Sequence, residues 1–221
     1  MKRVCVLGAG GFIGKNLIKG KKWVGVTRNE LDLTDQKAVE NYFKYNKFDV
    51  VIHCAVIGGS RLRSDDGDVI YKNILMFENV VRVFTGKIIY FSSGAALRGN
   101  PPTDPYGLSK WIIDKRIETM PNVYSLRIWG CYGPGELPTR FSAICKRDGH
   151  VVIDQDKYFD FVSISYVREI VEEYVNSKRK LVKFCDLVYS KKMLLSEWAD
   201  FFGATCEIKN PGISESYIKD R

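Results

Sequence analysis

Apolar residues in this chain fall into two kinds of run that take turns. Short β-branched runs, "KRVCVLG", "WVGVT", "FDVVIHCAVI", "KIIYFSS" and "NVYSLRIWG", read as strands. Between them, "FIGKNLIKG" sets Phe12, Ile13, Leu17 and Ile18 on one helical stripe, and "TDQKAVENYFKYN", "VIYKNILMFENVVRVF" and "DPYGLSKWIIDKRIE" repeat the helical spacing. The third strand run is too apolar for a sheet with one wet face, so helices are expected on both faces. Strand and helix alternate from residue 2 to about 130 with no internal repeat and no low-complexity linker. That order predicts an α/β fold on a doubly wound parallel sheet.

After "CYGPGELP" the pattern loosens. A helix is expected from "TRFSAICKR", a short strand at "VVI", an extended piece at "YFDFVSIS", a helix at "YVREIVEEYVNS", a strand at "LVKFCDLV" and a helix around "LLSEWADFF". The expected division is 1–134 for the sheet domain and 135–221 for a small cap interleaved with the last sheet elements.

Composition narrows the partners only partly. With 221 residues, 45% of them apolar, the chain has room for one large domain or one domain with a small appendage. The balance of 34 Lys+Arg against 26 Asp+Glu gives a formal charge of +8, which favours an anionic partner: nucleic acid, a phospholipid face or small phosphorylated molecules. The basic residues are spread out, and the densest run, "SKRKLVK" at 177–183, interleaves no aromatics, so neither nucleic acid nor membrane is expected as a partner. Cysteines at 5, 54, 131, 145, 185 and 206 form no C-x-x-C pair, and buried free thiols are expected. His53 and His150 are the only histidines, so no metal site is expected. The chain opens on a strand-like run without a signal segment, and no apolar stretch is long enough for a bilayer; a cytoplasmic location is the expectation.

Chemistry concentrates at three places. "GAGGFIG" puts Gly8, Gly11 and Gly14 at three-residue spacing between the first strand and the first helix. A tight turn, a close backbone approach to a pyrophosphate and close helix-to-sheet packing are together met only by glycine, so a dinucleotide site is expected. Such a site usually carries an acid about twenty residues on, for the ribose 2′-hydroxyl. This chain has Arg28 there, whose guanidinium suits a 2′-phosphate, so NADP(H) is preferred and NAD(H) is the second candidate. Asp32 leaves room for a contact at the adenine end.

The second and third places are "DPYGLSKW" and "YFSSGAA". The helix predicted from Pro105, with Asp104 as N-cap, sets Tyr106 and Lys110 one turn apart on one face. A tyrosine with pKa near ~10 shuttles protons poorly at neutral pH, and bringing it there takes about 4 kcal/mol. A neighbouring ammonium does so by favouring the phenolate. The same spacing recurs at Tyr174 and Lys178, but away from any glycine loop or strand-end serine. Ser92 and Ser93 end the preceding strand; Ser93, at the turn itself, is preferred for holding a substrate oxygen.

Glycine loop, "SSGA" and "YGLSK" stand in the order typical of extended short-chain dehydrogenase/reductases, the NAD-dependent epimerase/dehydratase group. The chain resembles GDP-L-fucose synthase-like and dTDP-4-dehydrorhamnose reductase-like enzymes most closely: "TRNELDLTD", "CAVIGGS", "YKNILMFENVV", "YFSSGAA", "DPYGLSK" and "CYGPGE" look like successive blocks of that family over about residues 1 to 135, and "FDFVSISYVREIV" extends the match. The resemblance implies a Rossmann-type NADP-binding domain at 1–134 and a substrate-binding cap at 135–221. It implies that Gly8, Gly11, Phe12 and Ile13 face the pyrophosphate, that Arg28 holds the 2′-phosphate, and that Asp32 and Leu33 meet the adenine. Cys54 and Ala55 would line the cofactor's middle, Asn73 would position the strand ends, and Lys110 would also bind the nicotinamide ribose. Ser93, Tyr106 and Lys110 would be the catalytic triad, and a homodimer through the third and fourth helices is implied.

Three departures bear on the activity. The cysteine and histidine that serve double epimerisation have no counterpart in "SSGAA" or "GELPTRFSAICKR". The asparagine expected before the Y-G-P block is Gly130, and the chain, ending at "SESYIKDR", leaves room for only a small, truncated cap. The leading expectation is an NADP(H)-dependent reductase of a 4-keto nucleotide-diphosphate sugar, in a pathway building a surface glycan. A 4-epimerase that retains its cofactor and a non-catalytic dinucleotide-binding regulatory subunit are the alternatives.

Overall fold

The computed structural model describes residues 2–60, 62–177 and 181–219. In chain order its elements are β1 (Val4–Leu7), α1 (Phe12–Ile18), β2 (Val24–Val26), α2 (Gln36–Tyr45), β3 (Val50–His53), α3 (Gly67–Val83), β4 (Lys87–Ser93), a 3-10 turn (Gly94–Leu97), α4 (Pro105–Glu118) and β5 (Val123–Ile128). They continue with β6 (Gly130–Tyr132), α5 (Phe141–Asp148), β7 (His150–Ile153), β8 (Phe161–Ser163), α6 (Ile164–Asn176), β9 (Phe184–Leu187), α7 (Leu195–Phe201) and β10 (Thr205–Ile208).

Six strands form the central sheet in the order β2-β1-β3-β4-β5-β9, and β1 pairs in parallel with both β2 and β3. The chain therefore runs outward from β1 to β2 and then crosses back to β3 on the other side. A crevice opens where the order reverses, above the carboxyl ends of β1 and β3. The strands are buried on both faces, as their continuous apolar runs demand: every residue of β1 and β3 is buried. On one face Leu7, Val51 and Ile88 pack with Phe43, Phe77 and Ile113 of the helices.

The residues divide into two compact units. One holds the chain up to Arg127 together with Arg168–Cys185; the other holds Ile128–Val167 and the chain from Asp186 onward. The second unit contains two parallel strand pairs, β6 with β8 and β7 with β10. Its core is aromatic: Phe159, Phe161, Trp198 and Phe202 pack with Cys145, and the Trp198 indole N–H donates to the Phe159 carbonyl at 2.7 Å. β10 has no counterpart in the sequence reading, because "TCEI" is short, half-polar and largely exposed. None of the six cysteines is in a disulfide, and burial pushes Cys5 and Cys131 up to about 12. Among the described residues no helix is long and apolar enough to cross a membrane.

Candidate active site

The crevice at the β1/β3 switch is a cleft of about 260 Å³, lined by Leu7, Gly8, Gly10, Gly11, Val26, Thr27, Arg28, Leu31, Asp32, Leu33, Thr34, Cys54, Ala55, Val56, Ile57 and Met76. Each glycine of the loop has its own reason. Gly8 turns the chain at φ +79°, and a Cβ there would lie 2.6 Å from the Ala55 nitrogen, so β1 and β3 leave the sheet too close together for any side chain. Gly14 sits inside α1, where a Cβ would meet the Gly8 carbonyl oxygen at 2.4 Å; it sets how tightly the helix rests on the loop. Gly10 and Gly11 differ, because a Cβ at either would find its nearest neighbour only at 3.7 or 3.5 Å. Their bare backbone forms the lip of the cleft and leaves the volume of a side chain to a ligand.

The far end of the cleft is held by local hydrogen bonds. Glu30 accepts from the Thr27 N–H and hydroxyl, both at 2.7 Å, and these bonds hold its carboxyl below the usual range. Asp32 accepts from the Thr34 hydroxyl at 2.7 Å and its N–H at 2.9 Å, which likewise favour the carboxylate. Asn79 of α3, not anticipated from the sequence, donates to the Leu33 carbonyl at 2.9 Å and fixes the loop from below. Arg28 is exposed beside them. An apolar slot with a bare backbone lip and a cationic side chain fits a nicotinamide dinucleotide.

Of the residues expected to hold the cofactor, Gly8, Gly11, Arg28, Asp32, Leu33, Cys54 and Ala55 line this cleft. Phe12 and Ile13 open α1 half-buried, and Gly14 is consumed by packing. Asn73 is 3% exposed and wholly engaged: its Oδ1 accepts from the Ile57 N–H and its Nδ2 donates to the Ile57 carbonyl, both at 2.9 Å, and to Ser109 Oγ at 3.1 Å. Its contribution is to position the segment after β3.

Asn73 also joins the cleft to the second cluster, since Ser109 Oγ donates to the Tyr106 carbonyl at 2.7 Å. α4 begins at Pro105, with the Asp104 carboxylate accepting from the Gly107 N–H at 2.7 Å. Gly107 is required because a Cβ there would lie 2.5 Å from the Asp104 carboxylate and 2.8 Å from the Ala95 carbonyl oxygen; the first turn of α4 leans directly on the 3-10 turn that follows β4. Gly59, at φ +71°, packs on the Tyr106 ring so closely that a Cβ would come within 2.9 Å of it.

Lys110 is 2% exposed and lies one turn on, its Nζ 5.8 Å from the Tyr106 ring centre. It donates to the Tyr90 hydroxyl and to the Phe91 carbonyl, each at 2.8 Å. Burial pushes its amine down to about 7, opposed by the Asp114 carboxylate one turn further along α4. Asp114 is itself held by Ser125 Oγ and Arg127 Nε, both at 2.8 Å. Ser93 ends β4, and its Oγ accepts from the Ala95 N–H at 3.2 Å. Ser92 Oγ is buried with no partner among the described residues. The competing Tyr174 spends its hydroxyl on the Val182 carbonyl at 2.8 Å, and Lys178 lies outside the described residues.

Comparison with known proteins matches residues 4–153 to the model described as the NAD dependent epimerase/dehydratase family. Over 63 residues, 26% of this chain, the sequence is 33% identical to GDP-L-colitose synthase of Yersinia pseudotuberculosis; the match spans 20% of that protein's length. Among solved structures, dTDP-4-dehydrorhamnose reductase from Bacillus anthracis in complex with NADP superposes with a TM-score of 0.79 at 19% identity, covering 96% of this chain and 84% of that one. WbmG of Bordetella bronchiseptica in complex with NAD and UDP gives a TM-score of 0.80 at 19% identity, covering 99% and 86%. At such identities the superpositions speak to the fold.

Proposed function

The chain belongs to the NAD dependent epimerase/dehydratase family, and from that premise we propose that it is an NADP(H)-dependent reductase of a 4-keto sugar carried on a nucleoside diphosphate. The observation that carries this reading is the Asn73 amide, which ties Ile57 of the dinucleotide cleft to Ser109 in the turn bearing Tyr106 and Lys110. Cleft and proton-handling pair are thereby held in one rigid arrangement, as a hydride transfer coupled to a proton transfer requires.

A bound dihydronicotinamide would supply the hydride. Gly8, Gly10 and Gly11 would accommodate the pyrophosphate against bare backbone, and Arg28 would pair with a 2′-phosphate. Tyr106 gives its phenolic proton to the carbonyl oxygen of the substrate, and Ser93 orients that oxygen. Lys110, as the ammonium, stabilises the phenolate left on Tyr106. Substrate binding is assigned to the second unit, and the formal charge of +8 suits a substrate with a diphosphate.

The test is titration with NADPH and NADH by nicotinamide fluorescence, followed by a panel of 4-keto nucleotide sugars. NADPH oxidation with one sugar, lost in Tyr106→Phe while NADPH binding is retained, is the expected result. Full turnover in Tyr106→Phe sinks the assignment. Tight binding without oxidation by any sugar moves the reading to a regulatory subunit, and turnover without added cofactor to a 4-epimerase.

A further inference from the structure

Lys110 is docked by a residue that neither the glycine loop nor the Ser-Tyr-Lys set includes. We propose that Tyr90 is a positioning residue for the reaction: its phenolic oxygen and the adjacent Phe91 carbonyl form a two-point dock that holds the Lys110 amine beside Tyr106. The inference rests on the reductase reading above for its consequence, and on geometry alone for the dock.

The dock follows from the register of β4. A side chain and the next residue's carbonyl offer two oxygens, each 2.8 Å from Lys110 Nζ. A lysine ammonium still has a third proton for Tyr106 or a ribose hydroxyl. With Lys110 2% exposed, bulk water cannot replace either acceptor. Tyr90 is itself immobilised: 1% exposed, its ring meets Phe77 edge-on at 5.2 Å and His53 at 5.5 Å.

The groups facing Lys110 come from every element around it. Asp114 shares α4 and is neutralised in part by Arg127 of β5; Tyr106 is on the same helix, His53 ends β3, and Cys54 follows it. Burial pushes His53 down to about 4, so it stays neutral near pH 7 and adds no charge. A hydrogen bond from an ammonium to oxygen is roughly twice as strong as one from a neutral amine, so the Tyr90 oxygen favours the charged form that Tyr106 needs.

The decisive measurement is the titration of Lys110 in cofactor-free protein carrying 13Cε-labelled lysine, with its signal assigned by its loss in Lys110→Met. In Tyr90→Phe the midpoint of Lys110 is expected to fall by roughly half a pH unit or more while other lysines stay put. The alkaline limb of kcat should move by the same amount, with KM for the cofactor within about twofold. Should Tyr90→Phe not fold, 3-fluorotyrosine at position 90 keeps the ring and weakens the oxygen as an acceptor, and it should shift the midpoint the same way. An unmoved midpoint overturns the dock. If instead the midpoint moves while Lys110→Met and Tyr106→Phe turn over normally, the dock stands and the reductase reading fails.

Discussion

Gly130 occupies the place where the family resemblance led us to expect an asparagine, and the structure says what would follow from restoring one. Gly130 pairs with Phe161 in the β6–β8 ladder, and a Cβ at 130 would lie 2.7 Å from Phe159 Cε1, 2.7 Å from Phe161 Cδ1 and 2.9 Å from Phe161 Cε1. Carbon atoms prefer about 3.5–4.0 Å, so two rings would each have to yield by about 1 Å. They have little room, since the Phe159 and Phe161 rings lie tilted with centroids 4.5 Å apart, and Phe161 also meets Trp198 edge-on at 5.2 Å and Phe202 at 5.9 Å. Overpacking of this kind costs about 1–3 kcal/mol, and a buried amide without partners adds about 1–3 kcal/mol. Gly130→Asn should therefore lose about 2–6 kcal/mol, and Gly130→Ala about 0–2.5 kcal/mol, because alanine recovers up to about 1 kcal/mol from the unfolded chain. Urea unfolding followed by tryptophan fluorescence measures both, with Trp198 reporting from inside the cluster. Combining Gly130→Ala with Phe161→Leu should show a favourable coupling of about 1 kcal/mol. A Gly130→Asn protein within about 0.5 kcal/mol of the parent would refute the argument that ring packing excludes a side chain here.

Further outcomes follow from the same geometry. Gly107→Ala drives a methyl against the Asp104 carboxylate and the Ala95 carbonyl, so the α4 cap should be lost at about 1–2 kcal/mol, read as a Tm about 2–8 °C lower by calorimetry. His53 is held neutral by burial with a pKa of about 4, below its ordinary 6.5. The unfolded chain then binds more protons between these values, and stability should fall by up to about 3 kcal/mol as pH drops from 6.5 to 4. His53→Phe should flatten that difference in urea midpoints, and an unchanged slope would contradict it. Arg28→Ala should weaken NADPH by about tenfold and leave NADH within about twofold, measured by nicotinamide fluorescence; equal losses for both would remove the 2′-phosphate role.

Part of this fold is written in local pattern and local chemistry alone. The alternation of β-branched runs with helical stripes was enough for the α/β class and the parallel sheet, because burial on both faces leaves an unbroken apolar run such as "FDVVIH". Asp104 before Pro105 marked the start of α4, since a cap and a fixed φ act within one turn. The positions of the glycine loop, Ser93, Tyr106 and Lys110 were legible for the same reason: each stands beside a strand end or a helix start that the pattern already located.

How those places meet follows from long-range packing. Asn73 bridging Ile57 to Ser109, Asn79 pinning Leu33, and Tyr90 receiving Lys110 each join residues 16 to 46 positions apart. No periodicity encodes such pairings, because they depend on which strands are neighbours and on how closely helices approach the sheet. Gly130 makes the same point from the other side: in the sequence it is a missing asparagine, and in the fold it is the space that two phenylalanine rings take up. A side chain's partners are fixed by distance in three dimensions, and distance is set by packing that the chain acquires only when the core closes.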